Sequence, residues 1–358
     1  MKSIDATVWQ NRSVFITGHT GFKGSWLTLW LAKMGARVSG FALAPQTTPD
    51  LFSLAAVEQD LIAHHVADIR DQKMLDEAMQ AAQPEVIFHL AAQPLVRKSY
   101  LNPQETWSTN VIGTVNVLEA ARRCPSVRAI VVITTDKCYE NQEWVWGYRE
   151  SDPLGGFDPY SASKAATEIV IQSYRRSFFG DQGILMASAR AGNVIGGGDF
   201  SEDRLIPDAA RAVMANNVLV IRNPQATRPW QHVLESLNGY LLLAQRLLSN
   251  DQSCATAFNF GPEAFDNIPV SQILANLQTY WPKLTYQTEK PNEDAFFHEA
   301  NFLYLDSTKA RHFLGWHSHW TLLESLEKTA HWYHMLAENV SMRTLTLLQI
   351  EQFEGKNE

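Results

Sequence analysis

Cysteine is scarce, with only Cys124, Cys138 and Cys254 among 358 residues. An odd number at wide spacing makes neither a disulfide framework nor a CxxC metal pair, and it fits a reducing compartment. A basic balance is missing too. Lys and Arg number 30 against 38 Asp and Glu, a formal net charge of −8, so no global field draws nucleic acid or an acidic membrane. Neither is expected as a partner, and an anionic ligand has to be met by a few local arginines. Long apolar runs are also lacking. Stretches such as Leu241–Ala244 fall far below the roughly 18 residues of a membrane span. The opening MKSIDATVWQNRSV has no apolar core of a secretory leader, so a cytoplasmic location is expected. No internal repeat or low-complexity segment breaks the chain.

What is present is the composition of a well-buried globule, 45% hydrophobic and 19% charged, long enough for two lobes sharing a cleft. Short apolar runs at 13–18, 37–43, 62–68, 85–91, 128–135 and 183–189 alternate with amphipathic stretches at 24–35, 72–82, 103–123 and 160–178. Strands apolar on both faces, separated by helices, predict an α/β fold with a doubly wound parallel sheet. From about 190 the rhythm loosens. Helices are expected near 205–216, 234–249, 269–280 and 321–339, with strands at 218–223 and 302–306. The expected division is a dinucleotide-binding domain over 1–189, with segments near 225–262 returning to it. A smaller α/β substrate lobe covers mainly 190–340, and 341–358 forms a terminal helix that frays into a polar tail.

The segment TGHTGFKG at 17–24 lies where the first strand gives way to the first helix. Gly18, Gly21 and Gly24 permit a tight turn, a close approach to a pyrophosphate, and helix packing on the sheet. The helix N-terminus then offers free N–H groups to the phosphate. His19 is unusual, a bulky ring within that turn, either facing solvent or crowding the phosphate. The GxxGxxG spacing resembles the extended branch of the short-chain dehydrogenase/reductase superfamily. On that resemblance Phe22 belongs to the same turn, and Asp68 and Ile69 follow the third strand, where adenine is contacted. Leu90, Ala91, Ala92 and Gln93 close the fourth strand beside the cofactor, and Asn110 matches a helix-bending asparagine. Strand two ends GFALAP, offering neither an acid for a ribose 2′-hydroxyl nor an arginine for a 2′-phosphate. NAD rather than NADP is what the resemblance implies.

Tyr160 and Lys164, in YSASK, stand four apart on a predicted helix and share a face. An ammonium beside a phenol favours phenolate, so Lys164 is expected to lower the Tyr160 pKa, and it can also bind the nicotinamide ribose. Thr135, at the end of the preceding strand, can share a substrate hydroxyl's proton with Tyr160. Asp136 and Lys137 follow directly, in ITTDKCYE. This threonine–acid–base order resembles the nucleotide-sugar 4,6-dehydratases. There a sugar is oxidised at C4, water leaves across C5–C6, and the hydride returns to C6. Elimination needs an acid for the C6 hydroxyl and a base for the C5 proton. Much of the family has glutamate at the base position, where this chain has Lys137. An ammonium must lose its proton before it can act as a base. Glu140 is the alternative base, with Lys137 then serving only as charge balance.

RAGNVIGGGDF at 190–200 and SEDRLIPD at 201–208 resemble that family's nucleotide-sugar loop. The resemblance gives Asn193 to the substrate diphosphate and Arg228, in TRPWQHV, to its clamp, with Arg204 or Arg211 as further phosphate partners. The segment 303–316 resembles the family's closing stretch. No metal site is expected. His317, His319, His331 and His334 lack a carboxylate or cysteine at ligand spacing. Within the family the resemblance is to members acting on CDP-glucose in CDP-dideoxysugar and O-antigen synthesis, which are homodimers or homotetramers. Another nucleotide-sugar dehydratase, an epimerase and a non-catalytic NAD-binding regulator are the alternatives. Intact Thr135, Tyr160 and Lys164 argue against a silent protein, and Asp136 beside a candidate base argues against simple epimerisation. No residue reads cytosine over uracil or thymine.

Overall fold

The computed structural model describes residues 4–263, 266–289 and 302–355. Six strands come first, β1 (Ser13–Thr17), β2 (Arg37–Ala42), β3 (Leu61–Val66), β4 (Val86–His89), β5 (Ala129–Ile133) and β6 (Leu185–Ala191). Short β7 (Val194–Ile195), β8 (Leu219–Ile221) and β9 (Gln231–His232) precede β10 (Ala257–Phe260) and β11 (Tyr286–Thr288). Seven strands form one parallel sheet in the order β10-β6-β5-β4-β1-β2-β3. This is the doubly wound order, and its direction reverses between β1 and β4, where the crevice for a ligand opens at the strands' C-terminal ends. Two small parallel pairs, β8 with β11 and β7 with β9, lie outside it.

Alternation along the strands shows why both faces are covered. Val14 and Ile16 of β1 and Val131 and Ile133 of β5 enter one core, while Phe15, Ile130 and Val132 enter the other. The first core lies under α1 (Phe22–Lys33), α2 (Leu51–Leu54) and the helices that follow β7. The second lies under α3 (Gln72–Ala82), α6 (Gly113–Arg122) and α7 (Pro159–Tyr174), with α4 (Val96–Leu101) and α5 (Pro103–Trp107) between α3 and α6 in the chain. Chain order continues with α8 (Gly180–Gln182), α9 (Leu205–Ala215), α10 (Val233–Leu248) and α11 (Val270–Tyr280). Last come α12 (Thr308–Leu314), α13 (Leu322–Ala337) and α14 (Met342–Gly355). Helix α1 is buried from Gly24 through Leu31, because α10 and α14 pack over it as well as the sheet. Trp30 donates its indole N–H to Glu354 of α14 at 2.8 Å.

One expectation needs correction. The run 302–306 is not a strand; only Leu305 makes an isolated bridge, to Tyr148, because Tyr148 accepts and donates one backbone bond there and no ladder continues. The helical stretch 103–123 bends at Asn110. A π turn over Ser108–Ile112 separates α5 from α6, with Asn110 at its middle turned into hydrogen bonds outside the helix. The polar end of the expected tail, 356–358, lies outside the described residues. Among the described residues no helix is long and apolar enough to cross a membrane.

Candidate active site

The crevice is a cavity of about 1520 Å³, larger than the roughly 300–1,000 Å³ of an ordinary small-molecule site and roomy enough for two nucleotide-sized ligands. Its floor is the glycine turn. Gly18 holds φ at +80°, and a Cβ there would stand 2.7 Å from the Ala91 amide nitrogen. A Cβ on Gly24 would stand 2.1 Å from the Gly18 carbonyl oxygen. Gly21 caps α1 without a side-chain bond, which leaves first-turn N–H groups for an anion. A dinucleotide pyrophosphate fits this cradle. Phe22, Asp68, Ile69, Leu90, Ala91, Ala92 and Gln93 also line the cavity. Past β2 the wall is Ala42, Leu43, Ala44, Gln46, Thr47 and Thr48. Asp50, beyond them, spends its carboxylate on the Ser53 amide and hydroxyl as the cap of α2.

His19 does not face solvent and does not crowd the phosphate side. Its ring is fully buried, its Nε2 lies 2.7 Å from His64 Nδ1, and it meets Phe52 edge-on. Gly40 of β2 makes the room, since a Cβ there would come within 2.5 Å of the imidazole. Burial, and then the neighbouring His64, push the ring's pKa down to about 3, so it is neutral. Asn110 also lies behind the wall rather than in it. Its Oδ1 accepts from the Gln93 amide at 2.7 Å, and its Nδ2 donates to the Gln93 carbonyl and to Ser163 Oγ. It fixes the end of β4 against α7. Asp68 takes the Arg70 guanidinium, which holds its carboxyl below the usual range.

At the reacting end Thr135, Asp136, Lys137, Tyr160 and Lys164 share one stretch of cavity wall. Thr135, two residues past the end of β5, has extended backbone and donates its hydroxyl to Asp136 Oδ1 at 2.9 Å. Asp136 is 2% exposed, and its Oδ2 has no hydrogen-bond partner. Burial raises its carboxyl above the ordinary range, against the opposing pull of Lys137 and of the Thr135 bond. Lys164 donates to the Ile133 carbonyl at 3.2 Å, and burial lowers its pKa to about 8 although Glu168 opposes this. Tyr160 departs from expectation. Burial pushes the phenol up to about 12, and a hydrogen bond with Thr135, rather than the Lys164 ammonium, is the main opposing influence. Lys164 is directed to the strand carbonyl instead. Glu140 is exposed and outside the cavity lining, and its carboxylate occupies the space a Cβ on Gly155 would take. Lys137 is the base candidate that faces the cavity.

Asn193, Arg204 and Arg228 line the opposite wall, which runs from β7 to α9 and up to β9. Arg204 pairs with buried Asp199 at 2.9 Å, and Arg211 pairs with Asp208 while donating to the Phe200 and Ser201 carbonyls. Arg228 is 9% exposed, with its guanidinium on the Thr227 carbonyl. The four histidines are not gathered. His319 sits on Glu235 at 3.6 Å, while His331 and His334 are exposed on α13.

A family model described as GDP-mannose 4,6 dehydratase matches residues 15–329. The chain belongs to that family. A CDP-glucose 4,6-dehydratase of Salmonella typhimurium is 48% identical over 92% of this chain and 92% of its own length. A dTDP-glucose 4,6-dehydratase of Xanthomonas campestris is 26% identical over 89% and 92%. Among solved structures, a UDP-glucose 4-epimerase from Brucella ovis in complex with NAD superposes with a TM-score of 0.76 at 20% identity, covering 89% of this chain and 97% of that one. The last is a likeness of fold.

Sequence reasoning missed three features of the site. Lys23, inside the glycine turn, sends its side chain into the cavity; a cation there was visible in GFKG. Arg97 of α4 and Arg222 after β8 line the cavity mouth and meet Asp203 across it. Behind the catalytic strand, Glu168 accepts from Thr134, Ser188 and Arg190. No local motif signals the last two, because their partners are far apart in sequence.

Proposed function

We propose that the chain converts CDP-D-glucose to CDP-4-keto-6-deoxy-D-glucose and water, with NAD as its cofactor. The observation that carries this reading is Asp136, a nearly buried carboxyl whose proton is retained beyond the ordinary range. It shares a cavity wall with Tyr160, Lys164 and a second candidate proton carrier, Lys137. A simple dehydrogenase or epimerase has no use for a second acid there, whereas expulsion of a hydroxyl needs one. The 48% identity to a CDP-glucose dehydratase supports the substrate. The glycine cradle and the NAD-bound neighbour of the same fold support the cofactor.

Bound NAD supplies the acceptor of a hydride from C4 and the donor of one to C6. Gly18, Gly21 and Gly24 hold its phosphates, and Asp68 and Ile69 its adenine end. The proton of the C4 hydroxyl leaves through Tyr160 and Thr135 as that carbon becomes a ketone, and the Thr135 hydroxyl, hydrogen-bonded to Asp136 at 2.9 Å, passes it on to replace the proton that Asp136 gives up. Lys164 orients the cofactor ribose. The ketone acidifies C5–H, which Lys137 removes, while Asp136 delivers its proton to the departing C6 hydroxyl and water forms. Lys137 then carries a proton to return to C5 as C6 is reduced. The sum is loss of one water with no net oxidation. Asn193, Arg204 and Arg228 hold the diphosphate.

The test is a panel of nucleoside diphosphate glucoses with CDP, dTDP, UDP and GDP, followed by the alkaline absorbance of a 4-keto-6-deoxy sugar. CDP-glucose is expected to give the signal, without added electron acceptor and without net release of reduced cofactor. A C4 epimer in place of a keto sugar would make the protein an epimerase. A signal from another nucleotide alone would move the substrate. The same reading has a cytoplasmic homodimer or homotetramer, which light scattering of the purified protein distinguishes.

A further inference from the structure

Asp136 follows β5 at the cavity wall, yet its Oδ2 meets neither solvent nor a hydrogen-bond donor among the described residues. Glu168 and Glu235, similarly buried, have both oxygens bonded, the first by Thr134, Ser188 and Arg190, the second by the amides of His319 and Trp320. What lies against Asp136 Oδ2 is set by two residues without polar side chains. A Cβ on Gly192, just after β6, would stand 3.1 Å from Oδ2 and 2.3 Å from Cγ of Pro229. Only glycine at that position lets the proline ring seat itself, and ring and carboxylate oxygen meet around the same point. Pro229 is buried and does not border the cavity, although Arg228 and Trp230 on either side of it do. The Trp230 amide holds this turn by donating to the Arg228 carbonyl at 3.0 Å. The ring therefore covers the carboxyl from behind, and the cavity face of Asp136 is left to the substrate.

We propose that Pro229 is a positioning residue of the elimination step: its ring, seated on Gly192, keeps water and hydrogen-bond donors off Asp136 Oδ2, so that the carboxyl remains an acid for the leaving hydroxyl. This deepens the dehydratase reading above and rests on it. Water stabilises a carboxylate as the anion, and a carboxyl shut away from water loses that stabilisation. Burial is the largest influence raising the Asp136 carboxyl. Lys137 beside it, Arg228 from the segment before β9, Lys23 of α1 and the Thr135 bond all pull the other way. Tyr160 of α7 and Cys138 also face it, each held neutral by its own burial. Three cations thus favour the anion, and exclusion of water is what opposes them.

The test follows single turnover of CDP-glucose across a range of pH in the NAD-loaded wild type, Pro229→Ala and Pro229→Val, recording reduced cofactor and keto sugar together. In Pro229→Ala water reaches the carboxyl and its folded pKa falls, so the protonated acid is lost at lower pH than in the wild type. Above that point C4 is still oxidised, because Thr135, Tyr160 and Lys164 are unchanged. Elimination is expected to slow on the order of tenfold, one unit of the several that full burial can impose. Reduced cofactor then accumulates, and lowering the pH closes the gap to wild type. Pro229→Val, which keeps a branched apolar side chain, is expected to recover most of the loss. Pro229→Ser serves in the same measurement where the Ala variant does not fold. An Ala variant whose elimination keeps the wild-type pH dependence overturns the proposal. So does a rise in KM alone, which would mean that the substitution acts through neighbouring Arg228; withdrawing that cation would shift the acid the opposite way. A wild-type protein that makes no keto sugar from CDP-glucose sinks the dehydratase reading, and this inference with it.

Discussion

Asp136 and Lys137 are neighbours in sequence with different surroundings. Asp136 turns inward beneath Thr135 and is buried, while Lys137 stays half-buried at the cavity wall. Burial favours the neutral acid at the first position, the direction a group that protonates a departing hydroxyl needs. The base assignment is tested by Lys137→Met, which keeps the length of the side chain and removes its titrating group. Thr135, Tyr160 and Lys164 remain, so the variant is expected to bind cofactor and nucleotide sugar normally. Product formation should drop on the order of 10²–10⁴-fold, the usual cost of losing a positioned base. Mass spectrometry of substrate recovered from deuterated buffer should show that exchange at C5 is lost. A variant that still exchanges C5 at the wild-type rate would leave Lys137 as charge balance. Glu140 would then have to move into the cavity from its exposed place beside Gly155.

Helix α7 brings three functional side chains to one face, Tyr160, Lys164 and Glu168, each four residues apart. The first two reach the cavity and the third anchors the strand behind it. Glu168 accepts from Thr134 at 2.5 Å, Ser188 at 2.7 Å and the Arg190 guanidinium at 2.9 Å. Burial alone would raise its carboxyl, but Arg190 and these bonds hold it below the usual range. Thr134 immediately precedes Thr135, so the pair of charges fixes the strand end that presents the reacting groups. With 3% and 4% exposure of its side chains, the pair is one whose single truncation strands a buried charge. Glu168→Leu or Arg190→Met alone is expected to cost about 3–5 kcal/mol, and the double variant less than the sum of the two. Urea denaturation of the four proteins closes the cycle. Additive losses would mean that the two side chains act independently. YSASK was readable as a motif, whereas Glu168 was not, because its partners come from β6 and from Thr134 just past β5.

Across the whole molecule, the cavity lies between the C-terminal ends of the parallel strands and the segment from Gly192 to Trp230. Arg97 of α4 meets Asp203 at 3.0 Å, and Arg222 stands 3.7 Å from the same carboxylate. One acid thus ties the sheet side of the mouth to the opposite wall, and it competes for arginines that suit a diphosphate. Its side chain is 40% exposed, so the ties are worth no more than about 1 kcal/mol in stability. Asp203 also holds φ at 57°, a conformation asparagine tolerates. Asp203→Asn is therefore expected to leave the denaturation midpoint nearly unchanged and to lower KM for the nucleotide sugar at constant kcat. An unchanged KM would mean that the mouth pair stands apart from the substrate path.

The sequence by itself determined the elements and the turn. Two-sided apolar strands, amphipathic helices and glycines at fixed offsets are encoded over a few residues, and backbone geometry reads them locally. That is why the parallel sheet, the cradle of Gly18, Gly21 and Gly24, and the shared face of Tyr160 and Lys164 were legible. Tertiary structure decided which groups carry protons and which way side chains point. Burial of Asp136, the neutral ring of His19 turned onto Gly40, the high phenol of Tyr160 and the exposure of Glu140 all depend on segments distant in the chain. Desolvation has no local sequence pattern, because it is set by whatever the fold packs around a group.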